Sequence, residues 1–180
     1  ANNVIVRGGG GAQASSMIGH GGFNAQGTEL SGDVNVTSGN DIGVIGGVGA
    51  GSNAQIGSGG SSADASIGGD ITVDAERHVT MTAPNQTDGA YSQIGNGDSF
   101  KGGFAPLSGT GAREGDIEVS AGSNITLTES FIGHVNGENT TAGPASGTTS
   151  IGAARDNPTD PTAGTVRTDG PGSGFAGPDG

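Results

Sequence analysis

The sequence contains no cysteine and no tryptophan, and its aromatic residues are limited to five phenylalanines and one tyrosine. Without cysteine, neither a disulfide nor a thiolate metal site can form. Hydrophobic residues make up only 30% of the chain, whereas glycine accounts for 40 of its 180 residues. We therefore do not expect a compact globular core of large side chains, and the buried residues must be small or β-branched.

Basic residues are also few, with six Lys and Arg against 18 Asp and Glu and a formal net charge of −12. Because phosphate binding needs clustered Lys and Arg, we expect no nucleic-acid partner. No apolar run approaches the ~20 residues needed to span a bilayer, so we expect no membrane insertion. The first residues also lack a signal-peptide pattern, so an exported form would have lost its signal or carry it upstream.

The dipeptide Ile-Gly recurs at Ile18, Ile56, Ile94 and Ile132, with a constant spacing of 38 residues. Glycine or a polar turn residue follows each pair. Such a regular period indicates repeats of one structural unit. Each Ile-Gly pair predicts a short strand that ends at a sharp turn.

A second phrase lies between the Ile-Gly pairs and begins with Gly-Asp at Gly32, Gly69 and Gly115. Aliphatic residues alternate with polar residues in it, and a period of two predicts β-strands. The first strand of each phrase is defined by Val34 and Val36, Ile71 and Val73, and Ile117 and Val119. The second strand is defined by Ile42 and Val44, Val79 and Met81, and Ile125 and Leu127.

One such unit of three short strands could not cover its own apolar face. Stacking of successive units would place equivalent aliphatic residues on one another, about 4.8 Å apart, and bury them. We therefore predict an all-β fold over residues 1–152, a parallel β-helix or β-solenoid with ~38-residue, three-strand repeats and variable Gly-rich loops. Ile151 follows Ile132 by half a period, which leaves open two coils of ~19 residues per repeat.

Residues 153–180 contain four prolines, at Pro158, Pro161, Pro171 and Pro178, and show no alternation of apolar and polar residues. This composition predicts an irregular extension or linker.

The phrase GDIEVSAGSNITLT, from Gly115 to Thr128, resembles the repeat of filamentous haemagglutinin-like bacterial exoproteins. The phrases that carry Gln-Ile-Gly resemble repeats of very long members of that group. The resemblance covers roughly residues 1–152 and rests on a repeat pattern. It implies a right-handed parallel β-helix, secretion to the extracellular space or cell surface, and adhesive or scaffold work.

Asp33, Asp70 and Asp116 each follow the glycine of the repeated phrase and would form a column of carboxylates at one corner. Like charges in a stack cost energy unless a cation or a hydrogen bond offsets them. The column is therefore either a candidate calcium site or a set of side chains that each bond the backbone of their own corner.

Two further patterns concern polar side chains. His20 and His134 occupy the same position after Ile-Gly, but Ser58 and Asn96 stand between them, which favours turn residues over a shared metal site. Thr-x-Thr pairs at Thr80 and Thr126 are expected to face outward, as threonine often does on exposed strands.

No paired acids, nucleophile motif or phosphate-binding loop stands out, so we expect no enzymatic activity and no cofactor other than a calcium ion. Unpaired strand edges at both ends of the stack would invite further strands. We expect an extracellular structural or adhesive protein that self-associates or continues the same solenoid, with host or cell-surface glycans as a further partner class. The competing hypothesis is a module that binds calcium, carbohydrate or ice.

Overall fold

A computed structural model describes residues 2–22, 25–60, 64–84, 89–98, 112–136, 149–153, 166–169 and 174–175. The regular secondary structure of these residues is entirely β-strand, and the strands pair in parallel in three large sheets and two small ones. The prediction of an all-β fold with parallel strands is confirmed. None of the described residues forms a helix of the length and hydropathy that a membrane span requires.

The strands of the three large sheets alternate along the chain. Sheet A contains β1 (Val4–Arg7), β5 (Ile42–Ile45), β9 (His78–Thr82), β13 (Asn124–Thr128) and β17 (Val166–Asp169). Sheet B contains β2 (Ser16–Ile18), β6 (Ala54–Ile56), β10 (Ser92–Ile94), β14 (Phe131–Ile132) and β18 (Gly174–Phe175). Sheet C contains β4 (Val34–Ser38), β8 (Ile71–Ala75), β12 (Ile117–Ala121) and β16 (Thr149–Ala153).

Two smaller parallel pairs accompany them. One joins β3 (Gln26–Ser31) to β7 (Asp64–Gly68), and the other joins β11 (Gly97–Asp98) to β15 (Val135–Asn136). From β4 onward the chain passes from sheet C to sheet A to sheet B before it returns to sheet C. Each large sheet therefore gains one strand per passage.

Equivalent aliphatic residues pair across adjacent strands. Val34 pairs with Ile71, and Ile71 pairs with Ile117. In sheet B, Ile18 pairs with Ile56, and Ile94 pairs with both Ile56 and Ile132. We call such a set of residues, equivalent in successive strands, a column.

These columns form one buried cluster to which all three sheets contribute. Its members from the repeated phrases and Ile-Gly pairs are Val34, Val36, Ile42, Val44, Ile56, Ile71, Val73, Val79, Met81, Ile94, Ile117, Val119, Ile125, Leu127 and Ile132. Ile18, on edge strand β2, packs against the cluster but is only partly buried. Close packing of similar side chains in register makes this narrow core continuous from strand to strand.

The glycines of the two repeated dipeptides stand where successive turns of the chain approach each other closely. Gly69 and Gly115 have φ angles of 117° and 123°, a region that L side chains rarely adopt. A Cβ at Gly115 would also collide with the carbonyl oxygen of Gly69. The same collision would occur at Gly57 with the carbonyl oxygen of Gly95. The Gly-Asp and Ile-Gly dipeptides recur because only glycine fits these corners.

Loop length varies without disturbing the pairing. Hydrogen-bonded partners beside sheet C are separated by 37 residues and then by 46, whereas those beside sheet B keep an offset of 38. The longer offset reflects the long connection between β11 and β12. A short connection then compensates for the long one. β14 begins only three positions after Thr128, the last residue of β13, so the offset in sheet B stays at 38 residues.

The segment after Ile132 continues the large sheets. Ile151, which follows Ile132 by half a period, pairs with Val119 in sheet C. Within residues 153–180, for which the sequence predicts no regular structure, β17 pairs with β13 and β18 pairs with β14. These strands lack the repeated phrase, and Val166 is the only aliphatic residue of β17, so the pattern gives no signal for them.

Candidate functional site

The three repeated aspartates lie at one exposed corner, directly before the strands of sheet C. The backbone N–H of Asp70 donates to Asp33 Oδ1 at 3.1 Å, and that of Asp116 donates to Asp70 Oδ1 at 2.9 Å. The carboxylates of Asp33 and Asp70 therefore each accept a hydrogen bond from the next strand, 37 or 46 residues further along the chain, rather than from their own corner. We call Asp33, Asp70 and Asp116 the Asp column.

This geometry bears on the calcium hypothesis. In the part of the chain that the structure describes, no group of three or more His, Asp or Glu side chains is placed to hold a metal ion. One oxygen of Asp33 and one of Asp70 are already engaged by backbone N–H groups, which offset part of the repulsion between stacked carboxylates. The corner thus has a structural explanation that requires no cation.

A second polar column follows the Ile-Gly pairs and contains His20, Ser58, Asn96 and His134. The backbone N–H of His20 donates to Ser58 Oγ at 3.2 Å, that of Ser58 donates to Asn96 Oδ1 at 2.8 Å, and that of Asn96 donates to His134 Nδ1 at 3.1 Å. His20 is exposed, whereas the other three side chains are buried. We call this set the turn column.

Asn96 connects the turn column to the strands of sheet C. Its Nδ2 donates to the carbonyl oxygens of Gly69 and Glu114, at 3.0 Å each. Asn96 therefore joins three separate corners of the chain through one side chain that is 1% exposed. The sequence places Asn96 at a turn but gives no sign of these cross-links.

His134 continues the same network. Its Nε2 donates to the carbonyl oxygen of Gly115 at 2.8 Å while Nδ1 accepts the Asn96 N–H, so this arrangement requires the neutral tautomer with the proton on Nε2. Burial lowers the pKa of His134 below its usual 6.5, although the hydrogen bond to Gly115 and the charge of Asp116 act in the opposite direction. His134 is thus a buried neutral histidine that joins two turns.

Two buried glutamines occupy the outer face of sheet B. Gln55 Nε2 donates to the carbonyl oxygens of Gly95 and Gly97 at 2.8 and 3.0 Å, and Gln93 Nε2 donates to that of Gly133 at 3.2 Å. Their Oε1 atoms are buried and have no hydrogen-bond partner among the described residues. The Gln-Ile-Gly phrase recurs in sequence, and its glutamine was the signal that could have indicated this role.

The threonines expected to face outward form a two-by-two array on sheet A. Thr80 pairs with Thr126, and Thr82 pairs with Thr128. All four side chains are exposed or partly exposed, and the residues they alternate with, such as Val79 and Met81, belong to the core. Gly43 and Ile45 occupy the same two columns on the preceding strand.

No protein-family model, curated protein or solved structure matches this chain. The resemblance to filamentous haemagglutinin-like repeats therefore stays a prediction from the sequence pattern. The polar features of the described residues are two hydrogen-bonded columns, one pair of buried glutamines and one array of four threonines on sheet A.

Proposed function

We propose that this chain is a segment of an extended, right-handed parallel β-helix with repeats of about 38 residues that acts as an extracellular structural or adhesive element. In this arrangement each coil adds one strand to sheets C, A and B, and the function lies in length, rigidity and surface contacts. The observation that carries the proposal is the unbroken parallel register of the repeated strands.

The ends of the sheets support a filamentous role. Strands β1, β2 and β4 are the first strands of sheets A, B and C, and each pairs with one neighbour in the sheet order. The backbone N–H of Val34 donates to Asp70 on the side of β8. Because N–H groups of successive strand residues point in opposite directions, Asn35 presents its N–H to the open side of β4.

The polar columns also suit a long stack. In each column a side chain of one repeat satisfies a backbone N–H of the adjacent repeat, so an added coil brings its own acceptors. Repetition of this kind makes stability a sum of similar nearest-neighbour contributions. A protein built this way gains length without needing a larger core.

The test is whether the purified chain forms thin rods by end-to-end association, observed by negative-stain electron microscopy and sedimentation velocity. We expect rods that lengthen with concentration. Asn35→Pro removes an open-side donor from β4 without removing the bond to β8 and should shorten the rods, whereas Asn35→Ala should leave them unchanged. Compact particles at every concentration, or equal rods from both variants, would contradict end-to-end association.

A further inference from the structure

The sequence contains two Asn-Gly dipeptides, Asn96-Gly97 and Asn136-Gly137. Asparagine deamidates most readily when glycine follows it, because glycine has no side chain to hinder attack by its own backbone nitrogen. Asn96-Gly97 lies wholly within the described residues, in the turn column and at its cross-links to sheet C. Its hydrogen bonds therefore show how the fold constrains a reactive dipeptide.

Deamidation begins when the backbone nitrogen of Gly97 attacks Cγ of Asn96. The new N–C bond closes a succinimide ring, and the N–H proton of Gly97 ends on the side-chain nitrogen, which departs as ammonia. Water then opens the ring at either carbonyl and leaves aspartate or isoaspartate at this position. The reaction needs a free Gly97 nitrogen, a side chain that can turn toward it and water, and it needs no other reactant.

The fold engages both reacting groups in other bonds. The backbone N–H of Gly97 donates to the carbonyl oxygen of Ser58 at 2.8 Å. Asn96 Oδ1 accepts the Ser58 N–H at 2.8 Å, and Nδ2 donates to the carbonyl oxygens of Gly69 and Glu114 at 3.0 Å each. Asn96 is also 1% exposed, so its side chain is shielded from water. These bonds must break before the succinimide ring can close.

We propose that Asn96 is a site of spontaneous deamidation in the unfolded chain, that the fold closes this site, and that a chain modified there cannot regain the native turn. Opening of the turn column is then the step that limits the reaction in the folded protein. The inference goes beyond the proposed function and does not depend on it, because it concerns one turn of a single chain.

Aspartate, the first product, conflicts with the surroundings of Asn96. It places a carboxylate oxygen where Nδ2 now donates, so two oxygens face each other at the carbonyls of Gly69 and Glu114 with no proton between them. A buried charge without a partner is costly. We therefore expect the modified side chain to be expelled from this position.

Isoaspartate, the second product, lengthens the backbone by one carbon atom within the turn. On one side of Asn96, Gly95 lies so close to Gly133 that a Cβ at Gly95 would collide with the Gly133 carbonyl oxygen. On the other side, Gly97 begins β11 and pairs with Val135. The turn is thus confined on both sides, and an additional backbone atom would displace these contacts.

The first test compares deamidation in the folded and the unfolded chain. The purified chain is incubated at one temperature and mildly alkaline pH, in buffer and in concentrated urea, and peptide mass spectrometry follows the modification of Asn96. We expect the reaction to be at least about tenfold slower in the folded chain. In urea, Asn136 serves as the internal standard for an unprotected Asn-Gly dipeptide. Equal rates at Asn96 in buffer and in urea would overturn the proposal.

Gly97→Ala tests the route of the reaction in urea, where folding plays no part. The added methyl group hinders attack by the backbone nitrogen, so Asn96 should react several times more slowly while Asn136 keeps its rate. An unchanged rate at Asn96 would contradict the succinimide route.

The second test asks whether the modified chain refolds. A native chain aged in urea is diluted into buffer, and size-exclusion chromatography separates the refolded chain from misfolded species. We expect the refolded fraction to be depleted of chains modified at Asn96. Equal modification in both fractions would overturn the proposed exclusion from the native turn.

A matched pair of variants separates the effect of position from that of charge. Asn96→Asp places the product directly in the turn column and should lower the melting temperature or prevent folding. Asn35→Asp adds the same charge at an exposed position on the outer face of sheet C and should keep the native melting temperature. Equal melting temperatures for the two variants would contradict the inference.

Discussion

The Asp column and the turn column both supply hydrogen-bond acceptors to backbone N–H groups, but one column is exposed and the other is mostly buried. In both, a side chain accepts the backbone N–H of an equivalent residue in an adjacent strand. In the Asp column the acceptor belongs to the earlier strand and is exposed. In the turn column it belongs to the later strand, and all three acceptors, Ser58, Asn96 and His134, are buried. The difference is one of environment rather than of bonding pattern.

Environment explains which residue types each column contains. A carboxylate keeps its charge at little cost in water but would be costly to bury without a partner. The exposed column therefore uses aspartate at every position, whereas the buried column uses serine, asparagine and a neutral histidine. When one partner of a buried hydrogen bond is removed, the other partner is left buried without a hydrogen bond, which costs free energy. The two columns should consequently respond very differently to mutation.

The largest effect is expected for Asn96→Ala. This change removes the acceptor of the Ser58 N–H and the two donors to Gly69 and Glu114, and it leaves buried polar groups without partners. We expect a loss of about 2–4 kcal/mol in the free energy of unfolding. Urea denaturation followed by circular dichroism measures it.

Asp70→Ala is the matched control, because it removes the equivalent acceptor from the exposed column. The Asp116 N–H that it leaves behind can bond to water, so we expect a loss of about 1 kcal/mol or less. If the two variants lose equal stability, burial does not distinguish the columns.

Much of this arrangement could be predicted from the sequence, because the pairing of Val34 with Ile71 and Ile117 follows from period-two alternation within a repeated phrase. The placement of His20 and His134 in one column follows from the same period. The bonds of Asn96 could not be predicted, since they reach Gly69 and Glu114 across loops of unequal length. Strands β17 and β18 could not be predicted either, because they pair through their backbones and their sequences show no alternation of apolar and polar residues.

A smaller effect is expected from acid, through His134. Because the pKa of His134 is lower in the folded chain than its usual 6.5, the unfolded chain binds the proton more readily. The stability is therefore fully present above pH 6.5 and is lost as the pH falls below it. Protonation also turns Nδ1 into a donor that faces the Asn96 N–H. Loss of one such bond, about 1 kcal/mol, should lower the melting temperature by roughly 2–4 °C.

The measurement is the melting temperature between pH 8 and pH 5, compared with that of His134→Asn. Asparagine already occupies this column at Asn96 and cannot be protonated in this range, so the variant should show a smaller dependence on pH. His20→Asn, at the exposed position of the same column, should follow the native curve. Parallel pH curves for the native chain and His134→Asn would exclude His134 as the source.

The smallest effect is expected for Asp70→Asn, which keeps an oxygen acceptor for the Asp116 N–H and removes the central charge of the Asp column. The free energy of unfolding should stay within about 0.5 kcal/mol of the native value. Any gain from relieved repulsion should be largest at low ionic strength and should fade as salt screens the remaining carboxylates. Urea denaturation at low and high salt checks this.

The same variant decides between the two explanations of the Asp column. If the carboxylates only accept hydrogen bonds, calcium should shift the melting temperatures of the native chain and Asp70→Asn equally. If they hold a cation, calcium should stabilise the native chain and not the variant, because a neutral amide binds calcium more weakly than a carboxylate. Asp33→Asn sharpens the test, since Asp33 ends the described column and has one carboxylate neighbour where Asp70 has two. A hydrogen-bonded column therefore predicts a smaller salt effect at Asp33 than at Asp70, with no calcium dependence at either position.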